Sequence, residues 1–317
     1  MAAIQLIFLL PDIADPWGST MMRGHQLCEI AQHHLAEKFD CKIMRMPLSS
    51  KRQSKRNFKA AQQMAWMARC PRDAIYFVTK QCVERLNPTA AEILRWRARA
   101  VLFDYVDTDM ETVLTRGADI HLCASNAQYE YMKQKKQFSN TSSVSLLPHG
   151  YDYRLQTCAP TKGPVYVTYW GALRNTYIPQ SILNDISVID GAVAPTTETL
   201  DELSRYRLHY CVRKNFRDVD KTIFKPLTKV ANAAACGANI LINHDAHDAV
   251  DFLGPDYPYF VGLGDDANIA NVFQAALNGA GGSDWLYARN AMNSVAKHLS
   301  PEQVANQLYD ILRPLTE

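Results

Sequence analysis

The segment from Arg213 to Gly237, RKNFRDVDKTIFKPLTKVANAAACG, carries the most suggestive chemistry in the chain. It holds Arg213, Lys214, Arg217, Lys221, Lys225 and Lys229. Its pattern predicts the end of a strand, a loop, and a helix opened by Pro226, since proline suits the first helical position. A helix N-terminus offers unpaired N–H groups and the positive end of the peptide dipole. Lys225 falls just before that end, Lys229 about one turn inside it, and Thr228 adds a hydroxyl. Together these groups make a seat for a diphosphate without a metal ion. Asn232 follows about a turn later on the face of Thr228 and Lys229, where it could bind a ribose or sugar hydroxyl. A solvated basic loop ahead of an ordinary helix is the plainer alternative.

A second set of residues could take a proton. His25 follows Gly24 near the start of the first predicted helix. His149 lies on the turn that ends the first half, and Asp104 and Asp107 lie at the end of a predicted strand. Imidazole suits base catalysis near neutral pH, and a carboxylate does when burial raises its pKa. The structural alternatives are packing for His25, a backbone hydrogen bond for His149 and helix capping for Asp107. In the loop from Pro11 to Thr20, Gly18 permits close approach of a substrate and Trp17 could stack on a sugar or a base. The basic loop with Lys51, Arg52, Lys55, Arg56 and Lys59 suits an anionic acceptor: a lipid-linked diphosphate, an acidic polysaccharide or nucleic acid. Asp107-Thr108-Asp109 spells D-x-D, a spacing common by chance, and a hard cation needs more oxygen ligands nearby. No histidine or cysteine spacing matches a zinc site. No metal or cofactor is expected.

These groups need elements to hold them, and the sequence alternates apolar runs with amphipathic stretches. Strands are predicted at 4–10, 42–46, 74–78, 101–106, 120–124 and 144–147, with helices at 22–39, 58–68, 89–99 and 126–137. A polar stretch at 157–164, with Pro160, Gly163 and Pro164, reads as a linker. The pattern then restarts, with strands at 165–170, 186–189, 208–212, 239–242 and 259–261. Helices follow at 197–206, 227–236, 266–277, 284–298 and 301–312. Such alternation is the signature of βαβ units and parallel sheets. The expected fold is α/β, with two Rossmann-like domains at 1–156 and 165–300 and a final helix, 301–317, crossing back to the first. Two such domains are expected to take a ligand between them, beyond the carboxyl ends of their strands.

Composition narrows the function classes. Of 317 residues, 47% are hydrophobic and 21% charged, which excludes a mainly disordered chain, a collagen-like fibre or a disulfide miniprotein. A formal net charge of +2 argues against a generic polyanion binder. The eight cysteines form no C-x-x-C pair and sit mostly in apolar runs, as reduced core thiols of a cytoplasmic protein would. The apolar stretch near the N-terminus is too short to span a bilayer and lacks the flanks of a signal peptide. No transmembrane segment is expected.

Three segments resemble motifs of GT-B glycosyltransferases of the retaining, family-4-like group. Lys225 to Ala233, followed by Ala235-Cys236-Gly237-Ala238-Asn239-Ile240-Leu241-Ile242, is similar to their donor-binding segment. Leu146-Leu147-Pro148-His149-Gly150-Tyr151-Asp152 resembles the turn that ends their N-terminal domain. Trp170-Gly171-Ala172-Leu173-Arg174 resembles the glycine turn after the first strand of their C-terminal domain. The order and spacing match over most of the chain. The resemblance implies a GT-B arrangement, a nucleotide-diphosphate sugar such as a UDP-sugar as co-substrate, a glycan or glycoconjugate acceptor, and retaining chemistry. It adds Gly171 and Arg174 to Arg213, Lys225, Thr228, Lys229 and Asn232 on the donor side. Many members carry two glutamates separated by seven residues in the donor segment; this chain has Phe224 and Asn232 there. Two rival readings stay open: a glycosyltransferase acting on nucleic-acid bases, and a non-catalytic GT-B-like binding protein.

Overall fold

The computed structural model describes residues 3–13, 18–47, 56–139, 142–157, 164–191, 195–213 and 222–316. The chain divides into two compact units. One is Met1–His149 with Thr222–Pro226 and Pro301–Glu317; the other is Gly150–Lys221 with Leu227–Ser300.

The first unit is built on a six-stranded sheet, β1 (Ile4–Pro11), β2 (Phe39–Met46), β3 (Ile75–Val78), β4 (Ala100–Asp104), β5 (Ile120–Cys123) and β6 (Ser143–Leu146). The order is β2-β1-β3-β4-β5-β6 and every pairing is parallel. Every residue of β3 and β4 is buried, which is why parallel central strands read as unbroken apolar runs. The connections carry α1 (Leu27–His34), α2 (Arg56–Met67), α3 (Lys80–Val83), α4 (Pro88–Arg97), α5 (Asn126–Gln134) and α6 (Lys136–Ser139). Their starts follow local chemistry. Asn87 caps α4 by accepting from the Thr89 and Ala90 N–H groups, with Pro88 in the first turn. Ser125 caps α5 through the Gln128 N–H, while the Gln128 side chain accepts from the Ala124 N–H.

The second unit has a five-stranded parallel sheet, β7 (Val167–Trp170), β8 (Ile186–Ile189), β9 (Leu208–Cys211), β10 (Asn239–Asn243) and β11 (Phe260–Val261), in the order β11-β10-β9-β7-β8. Its helices are α7 (Thr197–Leu203), α8 (Thr228–Ala235), α9 (Ala249–Leu253), α10 (Asp266–Asn278) and α11 (Ser283–His298). The last helix, α12 (Pro301–Leu312), groups with the first unit. It buries Val304, Ala305, Leu308 and Leu312, and Tyr309 meets the ring of Phe39 edge-on at 6.5 Å.

Both sheets are of the Rossmann-like kind, and each has one point where the strand order reverses: between β1 and β3, and between β7 and β9. Three predictions shift. The helix expected over 22–39 is π-helical at Thr20–Gln26, continues as α1, and stops at His34. Leu35 and Phe39 prolong its apolar spacing, yet Phe39 opens β2, paired with Ile4. The short helices α3 and α9 fall below the length at which periodicity is legible. Finally, α8 begins at Thr228 with Leu227 as its cap, so Pro226 stands just outside the helix rather than at its first position.

Candidate functional site

The reversal between β7 and β9 is where open α/β sheets take ligands. Three predicted groups of the second unit meet there. Gly171 follows β7, Arg213 follows β9, and Lys229 stands in the first turn of α8. The Lys229 Nζ lies over the Tyr169 ring, 3.7 Å from its centroid. Gly171 adopts φ +153°, and a Cβ there would overlap the Lys229 Nζ and stand 2.8 Å from the Tyr169 hydroxyl oxygen. Only glycine fits without displacing the ammonium. Gly191 packs against it, since a Cβ at Gly191 would lie 2.7 Å from the Gly171 Cα.

Arg213 is set by its backbone. Its N–H donates to the Asn243 Oδ1 at 2.6 Å, and it bridges Thr176 antiparallel, while the Thr176 hydroxyl donates to the Val212 carbonyl at 2.7 Å. Burial pushes the Lys229 ammonium down to about 8, and the Arg213 charge pushes the same way. Among the described residues neither cation has a carboxylate within ion-pair distance. Two cations that feel each other's charge and have no carboxylate partner among the described residues suit an anion. Thr228 is the first residue of α8, half-buried, and Arg174 is exposed on the 3₁₀ turn Leu173–Asn175. Sequence reasoning does not single out His209. Burial, with the Lys229 charge adding to it, pushes its imidazole down to about 4, and among the described residues its buried Nε2 has no hydrogen-bond partner. Its only sequence signal is a polar residue inside an apolar strand.

Lys225 is placed differently from its expected partner. The segment Thr222–Pro226 belongs to the first unit. The Thr222 hydroxyl donates to the Asp109 carboxylate at 2.5 Å, the Met110 N–H donates to the Thr222 carbonyl, and Ile223 bridges Asp109. Phe224 packs into the first unit's core with its ring 5.1 Å from Tyr131. Lys225 and Lys229 therefore fall in different units. Asn232 is also committed elsewhere. It is buried, and its Oδ1 accepts from the Asp152 N–H at 2.9 Å. Its side-chain oxygen holds the backbone at Asp152. The two positions that break the paired-glutamate pattern, Phe224 and Asn232, thus serve packing and backbone fixation.

In the first unit, His25 is half-buried within the π-helical turn, and burial, then the Arg45 charge, lowers its pKa. His149 is buried, closes the unit, and its N–H donates to the Ala124 carbonyl at 3.3 Å. Asp107 lies beyond β4 in a turn at φ +52°, where its carbonyl accepts from the Lys80 Nζ at 2.7 Å; it caps no helix. Asp104 is corrected as a candidate base, because Arg23 takes both of its oxygens, at 2.6 and 3.3 Å. Gly18 has φ +57°, and no described residue comes within 4 Å of where a Cβ would stand. Trp17, Lys51, Arg52, Lys55, Lys214, Arg217 and Lys221 lie outside the described residues, as do the side chains of Arg56 and Lys59. The basic-loop reading for a nucleic-acid or other anionic acceptor lies there too.

Among the described residues no three His, Cys, Asp or Glu side chains converge as metal ligands, and no helix is long and apolar enough to cross a membrane. The seven described cysteines are buried; Cys158 lies outside the described residues.

No family model matches the sequence, and no curated protein does. Solved structures do. A glycosyltransferase from Rickettsia africae superposes with a TM-score of 0.68 at 8% identity, over 100% of both chains. Anabaena HepE in complex with UDP gives 0.63 at 10%, over 98% of this chain and 100% of HepE. Sucrose-phosphate synthase from Thermosynechococcus elongatus gives 0.60 at 13%, over 98% of this chain and 99% of the synthase. The shared feature at these identities is the fold.

Proposed function

We propose that this chain, which has the GT-B glycosyltransferase fold, is itself a glycosyltransferase. It would move a sugar from a nucleotide-diphosphate donor, such as a UDP-sugar, to a glycan or glycoconjugate acceptor. The observation that carries the reading is Lys229 beside Arg213 at the β7/β9 reversal, two cations without a carboxylate among the described residues. That HepE was solved with UDP is consistent with a nucleotide site on this fold.

Sugar transfer breaks the bond between the anomeric carbon and a phosphate oxygen, and forms one to the acceptor oxygen. Negative charge builds on the leaving diphosphate, and fixed cations aimed at it supply the largest share of stabilisation. Lys229, Arg213, Arg174 and the first turn of α8 are suited to that role, and with such a set the reaction needs no divalent ion. The acceptor hydroxyl must also lose a proton. His25, whose pKa burial and then the Arg45 charge lower, suits this better than Asp107 or His149. Retention at the anomeric carbon and a cytoplasmic setting belong to the same reading, the first resting on the motif resemblance alone.

The test is a thermal-shift and calorimetry panel of UDP, GDP, ADP and CMP sugars, with and without a chelator. A nucleotide-diphosphate sugar that raises the melting temperature in proportion to the logarithm of its concentration, chelator present, supports the reading. A panel without any stabilising nucleotide overturns it.

A further inference from the structure

Tyr169 bears no charge, yet it touches Lys229 and the turn that carries Arg174. It is buried at 1% exposure near the end of β7. Its ring carries the Lys229 Nζ at 3.7 Å, and its hydroxyl donates to the Ala172 carbonyl at 3.0 Å. Ala172 opens the turn Leu173–Asn175, where the Asn175 N–H returns to the same carbonyl and Arg174 is displayed. Gly171 lies between these contacts. Its N–H donates to the Ile189 carbonyl, and its missing Cβ leaves the volume that the Lys229 Nζ fills.

A lysine side chain has four rotatable bonds and wanders unless something holds it. A carboxylate would hold Lys229 but would also neutralise the charge an incoming anion needs. An aromatic face attracts an ammonium without cancelling it, and leaves the hydrogens that point away from the ring able to donate. We propose that Tyr169 is a positioning residue for the diphosphate: its ring fixes the Lys229 ammonium and its hydroxyl fixes the turn that presents Arg174. One side chain thereby sets the spacing of two phosphate-binding groups. The proposal rests on the diphosphate reading above.

The test is calorimetric binding of inorganic pyrophosphate to the full chain, with chelator, for wild type, Tyr169→Phe and Tyr169→Leu. Each is also made in a Lys229→Met and in an Arg174→Ala background, and folding is checked by circular dichroism. The leucine variant is expected to bind about tenfold more weakly, having lost ring and hydroxyl. The phenylalanine variant loses about threefold, the share of one hydrogen bond. In the Lys229→Met background the leucine loss shrinks to about that threefold share, a coupling that general softening of the strand would not produce. The phenylalanine loss persists without Lys229 and vanishes without Arg174.

If wild type does not bind pyrophosphate, the diphosphate reading falls and the positioning role with it. If wild type binds and folded Tyr169→Leu binds equally well, or loses as much without Lys229 as with it, only the positioning role falls. Should Tyr169→Leu not fold, the Tyr169→Phe arm decides: a loss that survives removal of Arg174 overturns the proposal.

Discussion

Two cations set back from solvent, one in each unit, are treated in opposite ways. Arg23 is 3% exposed and heavily hydrogen-bonded. It donates twice to Asp104, and once each to the carbonyls of Leu147, at 2.8 Å, and Pro148, at 3.0 Å. It thereby ties the π-helical turn, the end of β4 and the chain just before His149 into one piece. Lys229 rests on an aromatic ring with no carboxylate partner among the described residues. Burying a charge is tolerated when it is paired, and costs free energy when it is not. A fold that pairs one cation and leaves the other without a carboxylate has given the first to its own stability and left the second able to meet an anion.

Removing the two cations should therefore move stability in opposite directions. Arg23→Leu strands the fully buried Asp104, and breaking such a pair costs about 3–5 kcal/mol. Urea titration should show this as the largest loss of any substitution discussed. Adding Asp104→Leu to it should recover part of the loss, because no uncompensated charge then remains. Lys229→Met should not lower stability; relief of a desolvated cation should raise it by about 1–2 kcal/mol at neutral pH. The same variant should weaken nucleoside-diphosphate binding by about 10- to 100-fold, the range for a charge-assisted contact. If Lys229→Met destabilises the protein as Arg23→Leu does, the lysine is structural and the contrast between the units is lost.

The contrast itself is only half legible in the sequence. Lys229 can be found because it stands in the first turn of a helix that follows a basic loop, a local pattern. Gly171 is reached only through the motif resemblance, as the glycine turn after an apolar strand. The Arg23–Asp104 pair cannot, since its partners are 81 positions apart and each looks like an ordinary polar residue beside an apolar run. Tyr169 escapes notice for a similar reason: an aromatic residue in a strand reads as core, and only the tertiary position of α8 brings an ammonium onto its ring. The fold is far more readable, because parallel strands buried on both faces announce themselves as apolar runs such as IYFV and AVLFD. What misleads is long-range pairing laid over a local pattern. Phe39 keeps helical spacing yet pairs with Ile4, and Phe224 and Lys225 look continuous with α8 yet group with the first unit.

The smallest expected effect is also the most specific to Lys229. Its folded pKa of about 8 lies below the ordinary lysine value of 10.5. Below about pH 8 the ammonium is charged in both the folded and the unfolded state, and the full cost of burying it is present. Between the two values the unfolded chain binds more protons than the folded one, so stability rises with pH at no more than about 1.4 kcal/mol per unit. Above the upper value the cost has gone. Other groups titrate in the opposite sense in this range. Burial pushes the thiols of Cys28, Cys41, Cys70 and Cys82 up to about 11 or 12, so they lose stability as pH rises through the ordinary thiol value. The quantity to follow is therefore the difference between wild type and Lys229→Met, in which the thiols cancel. From about pH 8 to about pH 9, wild type should gain roughly 0.5–1 kcal/mol on the variant in urea titrations. Saturating UDP should abolish that gain, because an anion beside Lys229 raises its pKa again and returns the ammonium to its charged state. A difference that stays flat across this window would place Lys229 in an ordinary solvated environment, and one that UDP leaves untouched would show that the nucleotide does not meet Lys229; either removes the contrast with Arg23.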